Sequence, residues 1–162
     1  MRRALCDMLL GFEQTAMTYI EIGEWSLMQK AAQAVRTNVF VDEQGIAPQD
    51  EWDGDDAAAL HAVLFNGNGD PLGNARLLQP STGVAKIGRM AVLQSARGKG
   101  YGARLLQALV LEARRRNNNE VVLSAQRTAE TFYSAQGFTA VGEPFDEVGI
   151  PHIKMRLVLT KL

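Results

Sequence analysis

Residues Arg97-Gly98-Lys99-Gly100-Tyr101-Gly102 put three glycines and two cations into six positions, directly ahead of a segment patterned as a helix. Glycine lets a backbone come close to an anion because no Cβ intervenes. The first N–H groups of a helix have no internal partner, and the helix dipole adds favourable potential for negative charge. Arg97 can add a planar fork of donors and Lys99 a point charge. The chemistry such a loop supports is the cradling of a diphosphate. A P-loop needs Ser or Thr after Gly-Lys, and Gly100 stands there instead. Gly98-x-Gly100-x-x-Ala103 imitates the dinucleotide fingerprint, which calls for an acid about 20 residues further on. The next apolar run ends Leu123-Ser124-Ala125-Gln126, without one. An ordinary glycine-rich connection is the third alternative.

The surrounding pattern must hold that loop in place. Thr18 to Ile22 alternates as a strand does. Ser26-Leu27-Met28-Gln29 has the form of a capping box, and Met28, Ala32, Val35 and Val39 follow at helical spacing, with Gly45 as the stop. Residues 45–57 read as an acidic loop. Ala59 to Phe65, Leu72 to Leu78 and Ala85 to Leu93 read as three strands of an antiparallel meander, joined at Asn66-Gly67-Asn68-Gly69-Asp70 and Ser81-Thr82-Gly83. A helix from Tyr101 to about Arg116 carries Leu105, Leu106, Leu109 and Val110 on one side. A short buried strand Val121-Val122-Leu123, a helix Ala129 to Gln136, and strands Phe138 to Val141 and Ile153 to Leu159 complete the chain. The order β-α-βββ-α-β-α-ββ predicts a mixed α/β fold, with a mostly antiparallel central sheet flanked by helices.

Composition narrows the function classes. The chain has 162 residues, enough for one domain with its own core, expected over 17–162. It has 17 basic and 18 acidic residues, whereas non-specific nucleic-acid binding favours a basic excess. Cys6 is the single cysteine, so no internal disulfide can form. His61 and His152 stand far apart, without zinc-ligand spacing, so no metal is expected. No apolar run approaches the roughly 20 residues that span a membrane. Residues 1–16 imitate a signal peptide, but Asp7 breaks the apolar stretch; they read as a poorly ordered extension, with Met17 a candidate start. A cytoplasmic protein is expected, and a homodimer stays open.

Arg97-x-x-Gly100-x-Gly102 resembles the signature of the GNAT N-acetyltransferase superfamily. Ala129-Glu130-Thr131-Phe132-Tyr133-Ser134-Ala135-Gln136-Gly137-Phe138 resembles that superfamily's second cofactor-side element, one helix and one strand further on. Val39-Phe40-Val41-Asp42-Glu43-Gln44, Glu51-Trp52-Asp53 and Pro151-His152-Ile153-Lys154-Met155 are similar to its small bacterial ElaA/YjcF-like branch.

The resemblance implies acetyl-coenzyme A as co-substrate and a primary amine, on a small molecule or peptide, as acceptor. It implies that Arg97, Gly98, Lys99, Gly100, Tyr101 and Gly102 hold the pyrophosphate, with Phe132 beside them. The pantetheine arm would run along Met90, Ala91 and Val92, and a backbone N–H near Val92 would polarise the thioester carbonyl. Tyr133 would protonate the departing sulfur. For the base, Glu43 is the first choice, because it follows the apolar helix and burial would raise its pKa. Glu51 and Asp53 are expected to recruit a cationic acceptor, and His152 to contact substrate or relay a proton. A non-catalytic acetyl-CoA-binding module of the same fold is the alternative.

Overall fold

The computed structural model describes residues 17–161. The expected extension 1–16 lies outside the described residues. The elements are β1 (Thr18–Glu24), α1 (Trp25–Arg36), a π-helical turn (Thr37–Glu43), α2 (Pro48–Glu51), β2 (Leu60–Asn66), β3 (Pro71–Ser81) and β4 (Val84–Val92). Then come α3 (Tyr101–Arg115), β5 (Glu120–Gln126), α4 (Glu130–Ala135), β6 (Thr139–Glu147) and β7 (Ile150–Val158). The expected order of strands and main helices is the one observed.

Two local expectations are corrected. Ser26 does not cap the first helix: α1 begins at Trp25, with Glu24 at the N-cap and no side-chain cap bond. The 45–57 segment is not simply loop, since Pro48 at the first helical position starts the short α2, and Asp56–Ala58 form a 3-10 turn. Gly45 does act as a stop, at φ +72 with its N–H on the Val41 carbonyl.

The strands form one sheet in the order β1-β2-β3-β4-β5-β7-β6. Neighbours are antiparallel except β4 and β5, which run parallel. Alternation gives each strand two faces. Ala62, Leu64, Ala75, Leu77, Ile87, Val121, Leu123 and Met155 pack with Leu105, Leu106 and Leu109 of α3 in the main core. Val63, on the other face of β2, packs with Met28 and Ala32 of α1. The helices α1 and α3 therefore cover opposite faces.

Two irregularities interrupt β4. Its pairing with β5 covers only Val84–Glu120, Ala85–Val121 and Lys86–Val122, after which no pairing joins them. On its β3 side, Asn74 faces Ala91 while Arg76 faces Gly88, so Arg89 and Met90 together oppose Ala75. This is a β-bulge, and Arg89 sits in it at φ +50, unusual for a side chain with a Cβ. The Asn74 amide donates to the Arg89 carbonyl that the bulge sets free, at 3.1 Å.

Candidate active site

The glycine-rich loop sits where β4 ends and α3 begins. Gly98 and Gly100 have φ of +78 and +79, and Gly100 is the N-cap of α3. A Cβ on either would meet nothing within 4 Å, so packing does not require glycine there; the left-handed backbone does. The first helical bond runs from Arg104 N–H to the Gly100 carbonyl, which leaves the N–H groups of Tyr101, Gly102 and Ala103 without helical partners. This part of the loop has the form of an anion cradle.

Arg97 takes a different role from the expected phosphate fork. Its Nε donates to the Val92 carbonyl at 2.9 Å and its Nη2 to Glu43 Oε2 at 2.7 Å. The side chain braces the loop against β4 and against the end of the π-helical turn. Glu43 is correspondingly not the buried, free base expected of it. Its side chain is 32% exposed and its carboxylate is held by a guanidinium. Lys99 makes no ion pair among the described residues and lies away from the cleft wall.

A cleft of about 910 Å³ opens where β4 leaves β5. Met90, Ala91, Val92, Arg97, Gly98, Gly100, Tyr101 and Gly102 line one wall, with Phe132 and Tyr133. Glu43, Gln44, Glu51, Asp53, Arg76, Arg89, Ser124, Gln126, Glu147 and His152 line the remainder. The fold thus gathers the residues singled out in sequence, Lys99 apart, onto one cavity. Gln44 and Gln126 join the π-helical turn to β5 through a 2.9 Å hydrogen bond.

Tyr133, on α4, is 8% exposed and packs edge-on against Phe132 and Phe138, with centroids 5.0 and 6.0 Å away. Burial pushes its hydroxyl up to about 12. His152, on β7, is 7% exposed and stacks on Phe145.

Residues 28–159 match the acetyltransferase (GNAT) domain family. The chain belongs to the GNAT N-acetyltransferase superfamily. It is similar to the "uncharacterized N-acetyltransferase YjcF" of Bacillus subtilis, 34% identical over 127 residues, 78% of this chain and 89% of that one. A solved acyl-CoA N-acyltransferase from Pseudomonas aeruginosa superposes with a TM-score of 0.76 at 33% identity, covering 86% of this chain and 99% of that one. Escherichia coli ElaA gives 0.77 at 29% identity, with the same shares. These likenesses place the chain with the ElaA/YjcF-like branch of the GNAT superfamily. No helix among the described residues is long and apolar enough to cross a membrane.

The acidic segment of this GNAT domain is locked by arginines rather than solvated. Arg36, fully buried, reaches Glu51 Oε1 and Asp56 Oδ1 at 2.7 Å each, between the rings of Trp25 and Trp52. Arg76 bonds both oxygens of Asp53 at 2.9 Å, and Asp56 at 3.1 Å. Arg89 reaches from the bulge to Asp53 at 3.0 Å and to the Glu51 carbonyl at 3.1 Å. Burial alone would raise the Asp53 carboxyl; the Arg76 hydrogen bonds, the Asp55 N–H and the charges of Arg76 and Arg89 outweigh it and hold the carboxyl well below the ordinary range. Burial likewise opposes ionisation of Asp56, and Arg36 and Arg76 overcome it. At Glu51 burial prevails and raises the carboxyl against the pull of Arg36 and Arg89. Glu51 and Asp53, expected to recruit an amine, are on the cleft but both are paired with arginines. Arg36 and Arg89 hold Glu51, and Arg76 and Arg89 hold Asp53.

Removing Arg36 should expose how much this network contributes. Arg36→Met leaves Glu51 and Asp56 buried without their main cation, and breaking such a pair typically costs about 3–5 kcal/mol. Urea unfolding should show a loss of that size. A loss below about 1 kcal/mol would mean that Arg76, Arg89 or water satisfies the carboxylates instead.

Proposed function

We propose that this GNAT protein is an N-acetyltransferase that moves the acetyl group of acetyl-CoA to a primary amine by direct attack in a ternary complex. The observation that carries the reading is the parting of β4 from β5, which opens a strand edge directly onto the left-handed loop at Gly98 and Gly100 and onto Tyr133. Acetyl-CoA supplies an activated acetyl thioester. The N–H groups at the start of α3 suit its pyrophosphate, with Tyr101 and Phe132 beside the cradle.

The free edge of Met90, Ala91 and Val92 suits the amides of the pantetheine arm. The Leu93 N–H donates to Leu72 on the β3 side, so the adjacent Val92 N–H points the other way, toward the opening. There it is placed to bond the thioester oxygen as charge develops. Tyr133 keeps its proton at working pH and is placed to give it to the sulfur. Holding amine and thioester together supplies much of the rate, so no acyl-enzyme is required.

The test is a panel of simple primary amines, with thiol release followed at fixed acetyl-CoA. Turnover that depends on the amine is the expected result. Tight acetyl-CoA binding with no turnover on any amine would favour the non-catalytic module, and absence of binding would remove both readings.

A further inference from the structure

Three carboxylates that could serve as the base, Glu43, Glu51 and Asp53, each hold an arginine. The cleft contains a different proton acceptor. His152 lies on β7, opposite Gln126 of β5 and Phe145 of β6. Its Nδ1 stands 2.7 Å from the Ile150 carbonyl. A carbonyl only accepts, so Nδ1 carries the hydrogen, and in the neutral ring Nε2 keeps its lone pair. Phe145 lies nearly parallel to the ring, at 5.9 Å and 24°, and fixes its plane. Glu147 Oε2 is 3.7 Å from Nε2. That is too long for a hydrogen bond, and it sets a carboxylate beside the ring nitrogen. Among the described residues Glu147 is the carboxylate within 4 Å of a His152 ring nitrogen; β5 presents the neutral Gln126 and β6 also the apolar Phe145. Both His152 and Glu147 line the cleft that holds Tyr133.

Resting on the acetyl-transfer reading, we infer that His152 Nε2 is the base for the acceptor amine and that Glu147 is the positioning carboxylate that stabilises the imidazolium. The uncharged amine attacks the thioester carbon, and as positive charge develops on its nitrogen an N–H bond breaks and an Nε2–H bond forms, directly or through one water. The nitrogen lone pair makes the new C–N bond as the C–S bond breaks. The sulfur takes the hydroxyl proton of Tyr133. The imidazolium then releases its proton to solvent, with Glu147, which is 53% exposed, beside the route, and the Tyr133 phenolate takes a proton back from solvent. One proton leaves the amine and one reaches the thiol, so the overall transfer balances.

This assignment also explains a geometric economy. The hairpin that joins β6 to β7 carries Glu147 and His152 on either side of Val148 and Gly149, so both groups are set by one turn. The Asp146 side chain holds that turn by accepting from the Gly149 N–H at 3.0 Å.

The test is His152→Asn. The asparagine amide nitrogen falls near the place of Nδ1, so it can still donate to the Ile150 carbonyl while the base is gone. The probe is whichever of n-butylamine, benzylamine and phenethylamine the parent enzyme acetylates fastest. The maximal rate should fall by about 10²–10³-fold, within the usual range for a positioned acid or base. Acetyl-CoA affinity by calorimetry should stay within about twofold, and of the acid limb of the pH–rate profile only the amine's own titration should remain. In His152→Ala, added imidazole should restore part of the rate. A folded His152→Asn protein with the parent rate and the parent acid limb overturns the assignment.

Should His152→Asn fail to fold, Glu147→Gln decides. Losing the carboxylate charge should move the acid limb to lower pH, and an unmoved profile overturns the assignment. A parent protein that turns over no amine removes the acetyl-transfer reading and this one together, whereas an indifferent His152→Asn removes only this one.

Discussion

Gly100→Val should lower acetyl-CoA affinity by at least about 100-fold, close to 3 kcal/mol, while the fold survives. The residue sits at φ +79 and begins α3. A β-branched side chain is strained there, typically by about 1–3 kcal/mol. No neighbour lies within 4 Å of the added Cβ, so the substitution crowds no protein atom. The thermal midpoint should therefore drop by about 2–12 °C, at about 2–4 °C per kcal/mol for a chain of this size. The large effect falls on the ligand. A branched side chain at the N-cap stands in front of the N–H groups of Tyr101, Gly102 and Ala103, where a diphosphate must come close. Calorimetry with acetyl-CoA, beside a thermal melt of the same sample, checks both halves. Unchanged affinity would remove the loop from the cofactor site. Tighter binding of NADH than of acetyl-CoA by the parent protein would revive the dinucleotide reading.

Tyr133→Phe should cut the maximal rate by about 10²–10⁴-fold and leave acetyl-CoA affinity nearly untouched. The ring and its contacts with Phe132 and Phe138 persist; only the hydroxyl is lost. Burial pushes that hydroxyl up to about 12, so it is protonated across any practical assay range. A free thiol near ~8.5 would accept a proton from it only reluctantly, but burial beside Tyr133 would raise the thiol as well. Transfer then follows the charge as it forms on sulfur. Two pH results follow from the direction of the shift. No fall in rate below about pH 12 should trace to Tyr133. Its raised value also means that its stabilising contribution is whole below about pH 10, where the unfolded tyrosine is protonated too, and is lost as pH climbs through about 12. Tyr133→Phe should remove that part of the alkaline unfolding. A fully active Tyr133→Phe enzyme would assign the proton to water or to the substrate.

What could be read in the sequence was whatever is local. Alternation from Leu60 to Phe65 and helical spacing at Leu105, Leu106 and Leu109 depend only on which residues must face a core. The cradle was legible for the same reason, since the glycines of 97–102 adjoin the helix they introduce. What was hidden depends on residues brought together by the fold. Arg97 finds Glu43 across 54 positions, and Arg76 finds Asp53 across 23. From spacing alone, a run of acids such as Asp50 to Asp56 looks solvated until its arginines are located. The bulge puts the left-handed backbone on Arg89 rather than on the adjacent Gly88, and the Asn74 amide and the Glu51 and Asp53 contacts that compensate for it come from distant positions. Ser26 failed as a cap because the helix starts one residue before it, at Trp25.

The parting of β4 from β5 gives the site a form of recognition written in main chain rather than in side chains. An interior strand edge left without a partner ordinarily invites another chain. Here it is only a few residues long and is walled by Arg97, Gln44 and Gln126. A narrow slot of this kind admits a single thread that carries amides of its own. Its hold on such a thread needs no particular side chain along Met90, Ala91 and Val92, because the main-chain groups that face the opening are the same for any residue. Drift at these positions, and at the hairpin that faces them, can therefore reshape the acceptor side while the grip on the donor stays constant. One scaffold can in this way keep its currency and change its customers.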